Sequence, residues 1–244
     1  PVLTFPDSSV IDTMNLDETI FLLCNGYHTP LLDELMHAYT VPFTWIPFYV
    51  ACFAALIYKF GWTKALLMLV VIGAAVGLSD WFCASVLRPM LHRMRPSNLD
   101  NPFSQFVTVV NGYRGGRYGL PSCHAANSFA LIGALITFVR TRRFALILLA
   151  WGLLVCYTRM YMGVHYPSDL LLGGAIGTAF GVTFASLALR FGPKWERYRR
   201  GEGYKTYSVN VRLANGGVTL SLAPVLIPVS VLLLTLLYGG LAAL

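Results

Sequence analysis

The chain has 244 residues, 56% of them apolar and only 12% charged, where an average soluble domain has about 25% charged residues. A soluble domain of this length has too little interior to hide that much apolar surface, so a membrane protein is expected. The net charge of +7 suits cytoplasmic loops or an anion site; the basic residues flank apolar segments without forming a long stripe, which argues against a nucleic-acid partner.

In chain order, Pro1 to Asp17 has neither a basic n-region nor an apolar h-region, so no cleavable signal is expected there. Leu16 to Tyr39 reads as two short amphipathic helices broken at Asn25-Gly26. The second has Thr29 as N-cap, Pro30 at its first position, and Asp33 and Glu34 in its first turn. Neither is apolar enough to span, and both suit the interface plane. Six spanning candidates follow, at about Val41–Tyr58, Ala65–Val86, Ala125–Val139, Phe144–Tyr157, Leu170–Leu189 and Leu222–Ala242. The third and fourth are short and are expected to extend into their flanking motifs. Trp45, Trp62, Trp81 and Trp151 are expected to form part of an aromatic belt. Gly173, Gly174, Gly177 and Gly181 suggest close helix packing in the fifth span. Residues 191–221 form a polar segment with a hairpin expected around Asn215-Gly216.

The fold class is therefore an all-α integral membrane protein: a six-span helical bundle with N-terminal interfacial amphipathic helices. It reads as a single domain over 1–244, with interfacial helices in 1–40, a core in 41–190, a polar cytoplasmic loop in 191–221 and a last span in 222–244. Lys59, Lys64, Arg140, Arg142, Arg143 and the basic residues after Lys194 fall on one side, which the positive-inside rule makes cytoplasmic. Loop 88–123 and the connection 159–168 fall on the other. The five cysteines include no CxxC pair, and most sit in apolar runs as small hydrophobes; neither a disulfide framework nor a zinc site is expected.

Three clusters carry chemistry, all on the non-cytoplasmic side. In the first, Arg88 and Arg95 would share one helical face if the segment stays helical, although Pro89 biases Arg88 away from the α region. Two guanidiniums there would clamp phosphate oxygens, while taken alone they would read as a snorkelling patch. In the second, Ser122 caps a spanning helix and leaves an anion site at its N-terminus, with His124 able to donate a proton. In the third, Pro167 starts a helix, so Asp169 falls in its first turn and can accept the Nδ1 proton of His165, leaving Nε2 to attack. Arg159 adds a third guanidinium. No HExxH or paired-aspartate spacing favours a metal. Charge neutralisation, a nucleophile and an acid together suit phosphoryl transfer without a metal or other cofactor.

With these motifs the sequence resembles the type 2 phosphatidic acid phosphatase superfamily, whose motifs read KxxxxxxRP, PSGH and SRxxxxxHxxxD. Here they stand as Arg88…Arg95-Pro96, Pro121-Ser122-Cys123-His124 and Thr158-Arg159…His165…Asp169, over roughly residues 17–190. The resemblance implies a phosphohistidine on His165, oriented by Asp169, with His124 protonating the leaving lipid oxygen. It implies phosphate binding by Arg88, Arg95, Ser122, Arg159 and the backbone of Cys123. Arg88 replaces Lys, Thr158 replaces Ser, and Cys123 replaces Gly; a non-Gly residue serves at that last position provided its φ is negative. The expected function is hydrolysis of a lipid phosphate or diphosphate in the plasma (inner) membrane, with the site facing the periplasm or exterior. Undecaprenyl diphosphate, phosphatidylglycerophosphate and lipid A are the candidate substrates, and membrane lipids the surroundings. The alternatives are a lipid-to-lipid phosphotransferase and a non-catalytic lipid-binding or transport protein. Transporters, however, place polar groups near the midplane rather than at one set of helix ends. Loop 97–120, with Arg114 and Arg117, is expected to border the site and to shape specificity.

Overall fold

The computed structural model describes residues 2–3, 14–191, 209–213 and 216–220. Its first helix, α1 (Leu16–Asn25), begins at a reciprocal cap: Asn15 accepts from the Glu18 amide while the Glu18 carboxylate accepts from the Asn15 amide. It buries Phe21, Leu22 and Asn25. A two-residue strand, β2 (Tyr27–His28), pairs antiparallel with β1 (Val2–Leu3). Thr29 then caps α2 (Pro30–Thr40), accepting from the Leu32 amide with Pro30 at the first position, as the sequence implies.

A 3-10 turn, Pro42–Trp45, leads into α3 (Ile46–Phe60). The long α4 (Trp62–Leu91) contains a π-helical stretch at Phe82–Leu87. After a long loop come α5 (Cys123–Val139), α6 (Arg142–Tyr161) and α7 (Pro167–Phe191). Four stretches are long and apolar enough to cross a membrane: Pro42–Phe60, α4, α6 and α7. The fifth, α5, is apolar but only 17 residues long. These five cover five of the six expected spans; the sixth, Leu222–Ala242, lies outside the described residues. As expected, α5 and α6 run into their flanking motifs. The hairpin appears where expected, with β3 (Val209–Leu213) antiparallel to β4 (Gly216–Leu220).

Packing at the centre of the bundle is aromatic. Trp45 and Trp151 meet edge to face at 5.8 Å, and Phe48 lies 5.1 Å from Trp151. Both indoles are 2% exposed, which corrects their expected place in an aromatic belt. Trp45 satisfies its N–H on the Tyr39 carbonyl, so these rings fill the core between α3 and α6. Trp62 and Trp81, at 63% and 57% exposed, keep the peripheral position.

Helices α5 and α7 pack most closely. A Cβ on Gly173, Gly177 or Gly181 would fall 2.3, 2.0 or 2.2 Å from the carbonyl oxygens of Ser122, Ala126 and Ala130. That close approach sets the N-terminus of α5 beside that of α7. At the opposite end, Lys59 donates to the carbonyl of Val139, the last residue of α5. The basic turns between α3 and α4 and between α5 and α6 thus share one end of the bundle, while the three chemical clusters share the other.

Candidate active site

The first cluster does not stay helical. Arg88 is itself α-helical (φ −61°, ψ −41°) despite Pro89, directly after the π-helical stretch Phe82–Leu87. The helix stops at Leu91, with His92 left-handed (φ 46°). Arg88 and Arg95 therefore share no helical face. Arg95 arrives instead on an extended segment bridged to loop 97–120: its amide donates to Arg117, and the Gly119 amide donates to Arg93.

At the start of α5, Ser122 is the N-cap, and its amide donates to the carbonyl of Asp169 in the first turn of α7. The two helix N-termini are thus joined by a direct backbone bond. Cys123 is not among the positive-φ residues, so the condition on that position is met. Its thiol accepts from Arg88, which also donates to the Pro121 carbonyl.

His165 is 1% exposed and Asp169 is fully buried. The Arg95 guanidinium lies 3.0 Å from His165 Nε2. A guanidinium can only donate, so Nε2 is the acceptor and the ring proton sits on Nδ1. Nδ1 is 3.4 Å from Asp169 Oδ2 without hydrogen-bond alignment, a separation that apo catalytic pairs commonly show before substrate tightens them. Burial, with Arg95, Arg159, His124 and Arg88 around it, holds the His165 imidazole well below the usual histidine range, so the ring is neutral. Burial and the neighbouring Arg88 and Arg159 lower Arg95 to about 10, still cationic at neutral pH.

Arg159, 2% exposed near the end of α6, donates to Thr40 at the end of α2 and lies 5.8 Å from the Tyr113 ring. Among the described residues, Arg88, Arg95 and Arg159 each keep a buried Nε without a hydrogen-bond partner. Three guanidiniums with spare donors, those of Arg95 and Arg159 buried and that of Arg88 half-buried, can cradle a polyanion. His124 stands where this cradle meets a cavity of about 410 Å³, which continues inward between Tyr49, Phe53, Ile72 and Leu131.

All eight residues singled out in the sequence, His165, Asp169, His124, Arg88, Arg95, Ser122, Cys123 and Arg159, thus occupy one end of the bundle. Arg114 and Arg117 are spent elsewhere: Arg114 ties to the Ser97 carbonyl and Arg117 pairs with Asp100 at the surface. The loop reaches the centre through other residues. A Cβ on Gly119 would lie 3.0 Å from Asp169 Oδ2, and one on Gly115 would lie 3.1 Å from the Arg95 guanidinium. Gly119, Tyr113, Thr40 and Arg93 reach the site without a local sequence signal: Gly119 is a bare glycine, Tyr113 and Thr40 stand outside the motifs, and Arg93 lies inside the first motif but at none of its defining positions.

The PAP2 superfamily model matches residues 61–193. The chain is 41% identical to a lipid A 4'-phosphatase of Bacteroides thetaiotaomicron, over 71% of this chain and 77% of that protein. It is 31% identical to a lipid A 4'-phosphatase of Porphyromonas gingivalis, over 69% of this chain and 71% of that one. In fold it is similar to a transmembrane PAP2-type phosphatidylglycerolphosphate phosphatase from Bacillus subtilis, with a TM-score of 0.53 at 22% identity, covering 77% of this chain and 90% of that one.

Proposed function

Because this chain belongs to the PAP2 superfamily, we propose that it hydrolyses the 4'-phosphate of lipid A through a phosphohistidine formed on His165. The chain is a multi-pass membrane lipid phosphatase of the PAP2 type, a phosphoric ester hydrolase. The observation that carries the residue assignments is the trio of buried, unpartnered guanidinium nitrogens beside an imidazole whose Nε2 is an acceptor.

Substrate phosphate enters the cradle and draws Arg95 from Nε2 onto its own oxygens, which frees the Nε2 lone pair. Arg88, Arg95, Arg159 and the first amides of α5, next to Cys123 and the Ser122 cap, hold the equatorial oxygens. Nε2 bonds to phosphorus as the bond from phosphorus to the lipid oxygen breaks. The bound phosphate's negative charge offsets the three arginines and lets His124 take up a second proton from solvent; it delivers that proton to the leaving oxygen, and the lipid departs as an alcohol. Asp169 stabilises the positive imidazole through Nδ1. Water then attacks phosphorus, His124 takes its proton, the N–P bond breaks, and phosphate departs with His165 restored. The position of His124 at the mouth of the apolar cavity favours this division, with phosphate on the cationic side and lipid on the other.

Lipid A is favoured as substrate by the two relatives named for that reaction. The basic turns at the far end of the bundle favour a cytoplasmic location for them, which would put the site on the periplasmic or outer face of the inner membrane. The test is phosphate release by the purified protein from lipid A, undecaprenyl diphosphate and phosphatidylglycerophosphate, with acid-labile label trapped on protein. Lipid A is expected to have the highest kcat/KM and to lose its 4'-phosphate. His165→Gln is expected to abolish both turnover and labelling. Preference for another of the three lipids would overturn the substrate, and retained activity in His165→Gln the mechanism.

A further inference from the structure

Asp169 has two oxygens, and the mechanism uses only one. Oδ2 faces His165 Nδ1 and accepts from the Tyr166 amide at 3.0 Å. Oδ1 accepts from Arg93 at 3.1 Å. The same guanidinium donates from its other arm to Asp17, in the first turn of α1, and also to the Ser168 hydroxyl. Asp17 closes the circuit by accepting from both the amide and the hydroxyl of Ser168. Burial would raise the Asp17 carboxyl, but the bonds from Ser168 and Arg93 outweigh it and hold the group below the usual carboxylate range. The face of Arg93 lies 4.3 Å over the Tyr166 ring, which packs against Phe21 of α1 and Phe103. Arg93 is therefore held on four sides, and it touches neither the phosphate cradle nor the cavity lining.

We propose that Arg93, seated by Asp17, is a positioning residue for the reaction: it fixes the Asp169 carboxylate so that Oδ2, and only Oδ2, is presented to His165 Nδ1. A carboxylate in a buried site with one free oxygen can rotate or take up a proton. A cation bonded to the far oxygen, and itself anchored by its other arm on a second carboxylate, opposes both. The arrangement makes α1, which lies outside residues 61–193 of the family match, part of the catalytic apparatus. This rests on the reading of His165 and Asp169 given above.

The experiment compares Arg93→Gln, Arg93→Lys, Asp17→Asn and Asp169→Asn, alone and combined, in the full-length detergent-solubilised protein with lipid A as the probe. Thermal unfolding is followed in parallel. Arg93→Gln is expected to lower kcat about 10²-fold, the scale of a small misplacement of a catalytic group, with KM unchanged because Arg93 does not contact substrate. Arg93→Lys recovers part of that loss, since the charge survives but the fork does not, and Asp17→Asn lowers kcat by less than Arg93→Gln. In the Asp169→Asn background, Arg93→Gln has no further effect, because its action passes through the lost carboxylate. An additive loss in the double variant, or a loss matched by unfolding or carried by KM, overturns the proposal. If His165→Gln stays active, the underlying mechanism has failed; if it is dead while Arg93→Gln keeps full kcat, only the role of Arg93 has failed.

Discussion

A single hydrogen bond defines the resting state of His165, the proposed nucleophile. Since Arg95 has only donors to offer, its 3.0 Å contact with His165 Nε2 selects the tautomer that the proposed chemistry requires. The surrounding burial and positive charge lower the affinity of His165 for a second proton, so its protonation occurs at a pH well under that of a free histidine. In ¹⁵N spectra of histidine-labelled protein, with the His165 signals assigned by His165→Gln, the ring should stay neutral and Nδ1-protonated at pH 6.5. An imidazolium there would contradict the assignment. Gly119 acts on the same pair by leaving space. Its missing Cβ would press on Asp169 Oδ2 at 3.0 Å and the Arg95 stem at 3.1 Å, so Gly119→Ala is expected to reduce kcat about 10²-fold. Steady-state kinetics at saturating lipid would measure it.

The elements are arranged by where helices start and how closely they approach. Pro167 and Ser122 open α7 and α5 at the same level, and the Ser122 amide bonds to the carbonyl of Asp169. The glycine stripe holds the pair at backbone contact along their length. Gly177→Ala would place a methyl 2.0 Å from the Ala126 carbonyl, a contact that forces the helices apart. Overpacking of this kind typically costs about 1–3 kcal/mol, and here it also moves His124 away from His165. Both the unfolding temperature and kcat are expected to fall. Gly77→Ala on α4 meets nothing within 4 Å and gains helix propensity, so it should unfold at the same or a higher temperature in the same detergent. Equal destabilisation by the two substitutions would refute the close-packing account.

At the scale of the whole molecule, the separation of charge between the two ends underlies both the proposed orientation and the proposed site. Lys59, bonded to the end of α5, marks one end; Arg88, Arg95 and Arg159 mark the other, where the proposed role is to bind phosphate rather than to orient the chain. If the far turns are cytoplasmic, Gln105→Cys should react with a membrane-impermeant maleimide in intact spheroplasts. Arg142→Cys should react only after permeabilisation, above the background from the native cysteines. The reverse pattern would invert the proposed orientation.

Much of this was legible in the sequence, because it rests on local rules. Thr29-Pro30 and Ser122 announce helix starts, apolar runs mark the spans, and the strands around Asn215-Gly216 pair in the described hairpin. The three motifs name eight residues that the fold brings to one end of the bundle. What only the tertiary structure decided are relations between distant segments: Trp45 against Trp151, Thr40 on Arg159, and Asp17 joined through Arg93 to Asp169. Arg93 is two residues from Arg95, yet one ends on the Asp169 carboxylate and the other on the His165 imidazole. The left-handed turn at His92 and the bridge to loop 97–120 set those directions. Residue types and their spacing determine which groups are available for phosphoryl transfer. Which oxygen of Asp169 faces His165, and what holds it there, depends on side chains brought together only when the ends of the helices meet.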